Sequence, residues 1–183
     1  MQSTRLTLIC HDATRAQKRG QWPLDEALQV PPTPLRLAGR FKKAPRLLCG
    51  PERRTRQTAM LFGEDARVDD GLRDMDVGRW HGQDVNAIDH EEMATWLADS
   101  TRAPHGGESV VQLCERVGQW MQALQDQPGH VLAVTHPSVI RAALLHVMQC
   151  PVGLFYLIDV EPLSSTDLRF NRVWRLRLDG HRE

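Results

Sequence analysis

Two histidines stand at the ends of short apolar runs. Leu6-Thr7-Leu8-Ile9-Cys10 stops on His11, and Val131-Leu132-Ala133-Val134-Thr135 stops on His136. A third run, Arg46-Leu47-Leu48-Cys49, is followed closely by Arg53 and Arg54. A neutral imidazole is a competent nucleophile toward phosphorus, and a covalent intermediate splits one hard displacement into two. An arginine fork and a second, protonated imidazole would meet the negative charge of a transferring phosphoryl group. The leaving alcohol needs a proton. Asp74, in the glycine-bounded loop from Gly71 to Gly82, is the candidate acid. The expected assignment is therefore His11, Asp74 and His136 in catalysis, with Arg54 and His136 also binding phosphate. A metal or redox site built on Cys10, His11 and His136 would use good ligands, but the close spacing of a metal motif is absent. No metal and no cofactor is expected.

The elements that must deliver these residues follow from the chain's punctuation. Apolar runs of this length read as buried strands, so each histidine sits at a carboxyl end, where open α/β sheets place their ligand crevice. Residues 15–22 read as a polar loop. The prolines at 31, 32 and 34 interrupt the chain, and residues 35–43 read as helical. Pro51 suits the first turn of a helix that would run to about Phe62 and end at Gly63. Residues 84–98 read as a surface helix. Ser109-Val110-Val111-Gln112 has capping-box spacing, which predicts a helix from about Val110 to Gln125. Another helix runs from about Ser138 to Met148. Ser165–Phe170 and Val173–Leu178 alternate in polarity and read as an antiparallel hairpin. The predicted fold class is α/β with a mostly parallel sheet, helices on both faces and an antiparallel C-terminal addition.

Composition limits the alternatives. A chain of 183 residues reads as one domain, 1–183, with room for a real core. Lys plus Arg equals Asp plus Glu, 23 of each, which argues against a nucleic-acid or membrane-surface partner. No signal-peptide pattern opens the chain and no run approaches the length of a membrane span. The four cysteines, at 10, 49, 114 and 150, read as reduced thiols of a cytoplasmic protein. Oligomeric state is not readable from the sequence.

The residues together resemble the histidine phosphatase superfamily, the phosphoglycerate-mutase-like fold. Leu8-Ile9-Cys10-His11-Asp12-Ala13-Thr14 stands where that family has Leu-Val-Arg-His-Gly-Glu-Thr. Gly50 to Ala59 resembles its Ser-Pro-x-x-Arg-Ala-x-Gln-Thr-Ala, and Leu72 to Gly82 its Leu-x-Glu-x-Asp-Phe-Gly-x-Trp-x-Gly. Gly107-Glu108-Ser109 and Thr135-His136-Pro137-Ser138-Val139-Ile140-Arg141 match two further motifs in the same order. The resemblance implies a three-layer α/β/α sandwich. It implies that His11 becomes phosphorylated, that Arg54 and His136 line the phosphate pocket, and that Asp74 stands where the family usually has a proton-donating Glu. Cys10, Thr14, Arg15 and Glu108 are further candidates for the site. The short segment between Asp74 and Gly107 favours a phosphatase over a mutase.

Three departures stand out: Cys10 for Arg, Asp12 for Gly and Pro137 for Gly. Losing one charge-assisted bidentate phosphate contact removes roughly 2–4 kcal/mol of transition-state stabilisation. A cysteine-nucleophile phosphatase does not fit instead. That chemistry uses Cys-x5-Arg, and both Cys10 to Arg15 and Cys49 to Arg54 have one residue too few. Two functions follow. One is a metal-independent phosphomonoester hydrolase acting on a small phosphorylated metabolite through phospho-His11, weakened by Cys10. The other is a degenerate member that binds a phosphorylated ligand or partner without turnover. Trp80 and Trp120 read as packing residues, and Arg141 as a helix-surface or ion-paired residue.

Overall fold

The computed structural model describes residues 3–30 and 44–178. Six strands form one sheet in the order β3-β2-β4-β1-β5-β6. They are β1 (Thr4–Cys10), β2 (Arg46–Cys49), β3 (Arg67–Val68), β4 (Gly129–Thr135), β5 (Ser165–Asn171) and β6 (Val173–Arg177). β1 pairs in parallel with β4, β4 with β2, and β2 with β3, while β5 and β6 add an antiparallel edge beyond β1. The helices are α1 (Arg15–Arg19), α2 (Arg53–Ala59), α3 (His90–Ala98), α4 (Val110–Gln125) and α5 (Pro137–Met148).

Side-chain alternation along β1 sorts the core into two layers. Leu6, Leu8 and Cys10 face α4 and α5 in the larger cluster, beside Leu113, Val117 and Ile140. Ile9 faces the other way, with Cys49, Leu132, Val134 and Ala59 of α2. Cys10 and Cys49 therefore end on opposite faces of the sheet, and all four cysteines are free thiols.

Several boundaries differ from the sequence reading. Residues 15–19 form a helix rather than a loop, because Thr14 and Gln17 make a capping box and Gly20 closes the turn in the left-handed region. α2 stops at Ala59. The segment read as one helix over 84–98 is a 3-10 turn at Val85–Ala87 followed by α3, with Asp89 capping α3. β3 was not anticipated. The helix expected over 35–43 lies outside the described residues. α4 begins and ends as expected, with both capping-box hydrogen bonds formed by Ser109 and Gln112. Among the described residues no helix is long and apolar enough to cross a membrane.

Candidate active site

The register of β1 against β4 places Cys10 opposite Thr135. The next residue on each strand is therefore a histidine, and the His11 N–H donates to the Thr135 carbonyl at 2.9 Å. The two rings meet edge to face with centroids 5.1 Å apart. Both are buried. His11 Nδ1 lies 2.7 Å from the Asp12 carbonyl oxygen. A carbonyl accepts only, so Nδ1 carries the proton and Nε2 keeps its lone pair. Burial, then the positive charge on His136, pushes the His11 pKa down to about 4, so the ring is neutral at ordinary pH.

α5 starts immediately after β4 because Pro137 occupies its first turn. The amide proton that proline lacks there is one that the helix could not have paired internally. His136 is thereby fixed as the residue between strand and helix. Its Nε2 lies 2.7 Å from Glu52 Oε2. Its Nδ1 lies 3.3 Å from Asp74 Oδ2, within ion-pair range but outside hydrogen-bond geometry.

Arg54, in the first turn of α2, is nearly inaccessible. One terminal nitrogen donates to the Leu24 carbonyl at 2.9 Å and the other to Asp74 Oδ2 at 2.7 Å. Asp74 Oδ1 accepts from the Ser138 hydroxyl at 2.6 Å and from the Met75 N–H at 2.8 Å. Burial pushes the Asp74 pKa up, but the charges of His136 and Arg54 and the Ser138 hydroxyl outweigh it, holding the carboxyl well below the usual range. Asp74 is thus ionised in the ligand-free protein, held beside Arg54 and His136. A proton donor must first be separated from them.

Glu52 was not singled out by the sequence. It follows Pro51 at a helix start, where an acidic residue reads as a partner of the helix dipole. Its carboxylate instead folds back, accepting from the Asp74 N–H at 2.9 Å with Oε1 and meeting His136 with Oε2. Burial raises its pKa, but the His136 hydrogen bond and charge prevail and the net shift is downward. The fold-back needs a glycine at position 50. A Cβ there would lie 2.9 Å from Glu52 Oε2 and 2.9 Å from the Leu72 carbonyl. Ser138 and Arg116 are the other residues that sequence reasoning missed. Ser138 sat inside a matched motif, two residues after His136. Arg116 carried no local signal.

The secondary candidates lie as follows. Cys10 is fully buried in the larger core cluster, and burial, with the Asp74 charge second, pushes its thiol up to about 12. A buried thiol of that kind does not offer a thiolate. Thr14 Oγ1 caps α1 by accepting from the Gln17 N–H, and Arg15 is exposed on that helix. Glu108 meets Arg116 through both oxygens at 2.8 Å. Arg116 in turn donates to the carbonyls of Gly71, Arg73 and Asp74. Glu108 therefore holds the loop that carries Asp74. Arg141 is half-buried rather than a surface residue. Its Nε donates to the Ile158 carbonyl at 2.6 Å and its guanidinium carbon lies 5.6 Å from the Phe155 ring centroid. Among the described residues no group of His, Cys, Asp and Glu side chains is placed to hold a metal ion.

A family model, the histidine phosphatase superfamily (branch 1), matches residues 12–177. The chain belongs to the histidine phosphatase superfamily. Within it, a glucosyl-3-phosphoglycerate phosphatase of Mycobacterium tuberculosis is 30% identical over 176 residues, covering 84% of this chain and 79% of the relative. The solved structure of mycobacterial glucosyl-3-phosphoglycerate phosphatase in complex with VO3 superposes with a TM-score of 0.80 at 26% identity, covering 95% of this chain and 97% of that one. A phosphoserine phosphatase from Entamoeba histolytica shares the fold, with a TM-score of 0.80 at 17% identity, covering 94% of each chain. The histidine phosphatase fold of this chain is thus the one that the motifs implied, a mostly parallel six-stranded sheet covered by helices.

Proposed function

We propose that this protein hydrolyses a phosphomonoester through a phosphohistidine on His11, without a metal. One observation carries the reading. Two nitrogen atoms in one buried cluster, His136 Nδ1 and Arg54 Nε, have no hydrogen-bond partner among the described residues, and they flank His11, whose Nε2 keeps its lone pair. Unpaired buried polar atoms are costly, and a nucleophilic lone pair beside an arginine and a second imidazole is the arrangement a phosphoryl group would complete.

The phosphate binds against Arg54 and His136 and takes them from Asp74. Asp74, still buried but no longer held by Arg54 and His136, gains affinity for a proton, which the substrate monoanion or solvent supplies. His11 Nε2 forms a bond to phosphorus as the bond to the ester oxygen breaks, and Asp74 passes its proton to the departing alcohol. Water then attacks phospho-His11 with Asp74 as base, releasing inorganic phosphate and the neutral imidazole. The relatives' substrate, glucosyl-3-phosphoglycerate, marks the small phosphorylated metabolites as the class in which to search.

A second reading has its own support. Glu52 and Asp74 already occupy the cations, and Cys10 supplies no charge where the family has an arginine. In that reading the pocket binds a phosphorylated ligand and does not turn it over. Purified wild type and His11→Ala, assayed side by side on phosphomonoesters after chelation of metals, separate the two. Turnover that disappears in the variant supports hydrolysis through His11. No turnover in either, or equal turnover in both, removes it.

A further inference from the structure

Beside the polar site lies a second cavity of about 500 Å³, a volume ordinary for a small-molecule site. Asp74 lines this cavity and also the one lined by Glu52 and Arg54, so the two meet at the candidate proton donor. The wall of the second cavity is aromatic and aliphatic. Trp22 and Trp96 meet at 5.5 Å between ring centroids, Trp96 and Tyr156 at 5.1 Å, and Tyr156 packs on Phe155 at 5.3 Å. Met75, Met93 and Leu97 add apolar surface. Three of these wall residues carry a buried polar atom without a partner among the described residues: Trp22 Nε1, Trp96 Nε1 and Tyr156 Oη. Buried indole and phenol donors usually find an acceptor. Arg141 also lines the cavity, and its terminal nitrogens make no hydrogen bond among the described residues.

We propose that this cavity receives the alcohol portion of the substrate, and that this alcohol carries an apolar, phenyl- to naphthyl-sized ring system bearing a hydrogen-bond acceptor. The proposal rests on the phosphate binding at Arg54 and His136. An open, polyhydroxylated sugar acid would be a poor occupant, since its hydroxyl groups would lose water against indole and methionine surfaces and regain few partners. A ring system buries its faces against Trp96 and Met93 and gives the orphaned donors an acceptor. The junction at Asp74 places the ester oxygen where a proton is needed.

The test compares 2-(4-methoxyphenyl)ethyl phosphate with ethyl phosphate and glycerol 3-phosphate. All three leave as alkyl alcohols, so differences report binding of the alcohol more than leaving-group acidity. The ring-bearing ester is expected to show a kcat/KM at least about 30-fold higher, the scale of burying one ring face. Leu97→Glu, at a wall position that is 53% exposed, should lower the ratio of kcat/KM for the ring-bearing ester to that for ethyl phosphate. Equal kcat/KM for the three esters overturns the cavity assignment and leaves hydrolysis standing. If no ester is turned over, tryptophan fluorescence titration with 2-(4-methoxyphenyl)ethylphosphonate and methylphosphonate decides. Tighter binding of the ring-bearing phosphonate, lost in Leu97→Glu, keeps the cavity and removes hydrolysis. Equal binding, or none, removes the cavity assignment.

Discussion

Glu52 and His136 stand 2.7 Å apart at the floor of the candidate phosphate site. The contact sets a carboxylate where an incoming phosphate would seek a cation. Removing that charge while keeping an acceptor for the Asp74 N–H is the effect of Glu52→Gln. Inorganic phosphate, used as a competitive inhibitor, should then bind about tenfold more tightly, or ~1.4 kcal/mol. A weaker or unchanged inhibition constant would mean that Glu52 orients His136 rather than opposes the anion.

The depressed His11 pKa has a consequence for stability. The unfolded chain takes up this proton near pH 6.5, whereas the folded one resists until about pH 4. Between those values the unfolded state binds more protons, so stability falls as pH falls through the window. The loss traceable to His11 is about 2 kcal/mol by pH 5 and approaches ~3 kcal/mol below pH 4. Urea midpoints of wild type and His11→Ala, compared at pH 7.5 and pH 5, should show a steeper acid loss in the wild type by about that amount. Parallel losses would place the titration elsewhere.

The convergence of His11 and His136 was legible because each ends an apolar run, and parallel strands in register bring consecutive carboxyl ends together. α4 was legible in detail because its cap and its apolar face agree. α1 was hidden by its length. Its Thr14–Gln17 capping box has both hydrogen bonds, as that of α4 does, but four polar residues around one alanine read as a loop. β3 has two exposed residues and no period to detect. The carboxylates around His136 were harder. Asp74 lies in a recognisable loop, but its pairing with Arg54 depends on where the loop folds. Glu52 becomes a partner of His136 only because Gly50 has no side chain.

Asp74 is pinned as a carboxylate in the ligand-free protein, so its role as proton donor depends on the leaving group. Asp74→Asn should lower kcat for an alkyl phosphate by about 100-fold, because an alkoxide cannot leave unprotonated. The same variant should change turnover of 4-nitrophenyl phosphate by less than about tenfold, since that phenolate departs without a proton. Equal losses on both substrates would assign Asp74 to holding Arg54 and His136 instead.

Glu108 offers the opposite case, an acid that is near the site in sequence and structural in place. Its carboxylate grips Arg116, which donates to three carbonyls of the loop from Gly71 to Asp74. Both side chains are mostly buried, 10% and 14% exposed, so removing Glu108 leaves the Arg116 charge without its carboxylate. Glu108→Ala should destabilise the fold by about 3 kcal/mol, within the range for breaking a buried ion pair. Glu108→Gln keeps hydrogen-bond acceptance and should cost less. If Glu108 is structural, Glu108→Gln will retain the leaving-group dependence and pH profile of the wild type while its melting temperature falls. A lost basic limb in kcat/KM, with stability unchanged, would instead make Glu108 the proton donor. That would leave Asp74 as the residue that holds the two cations until phosphate arrives.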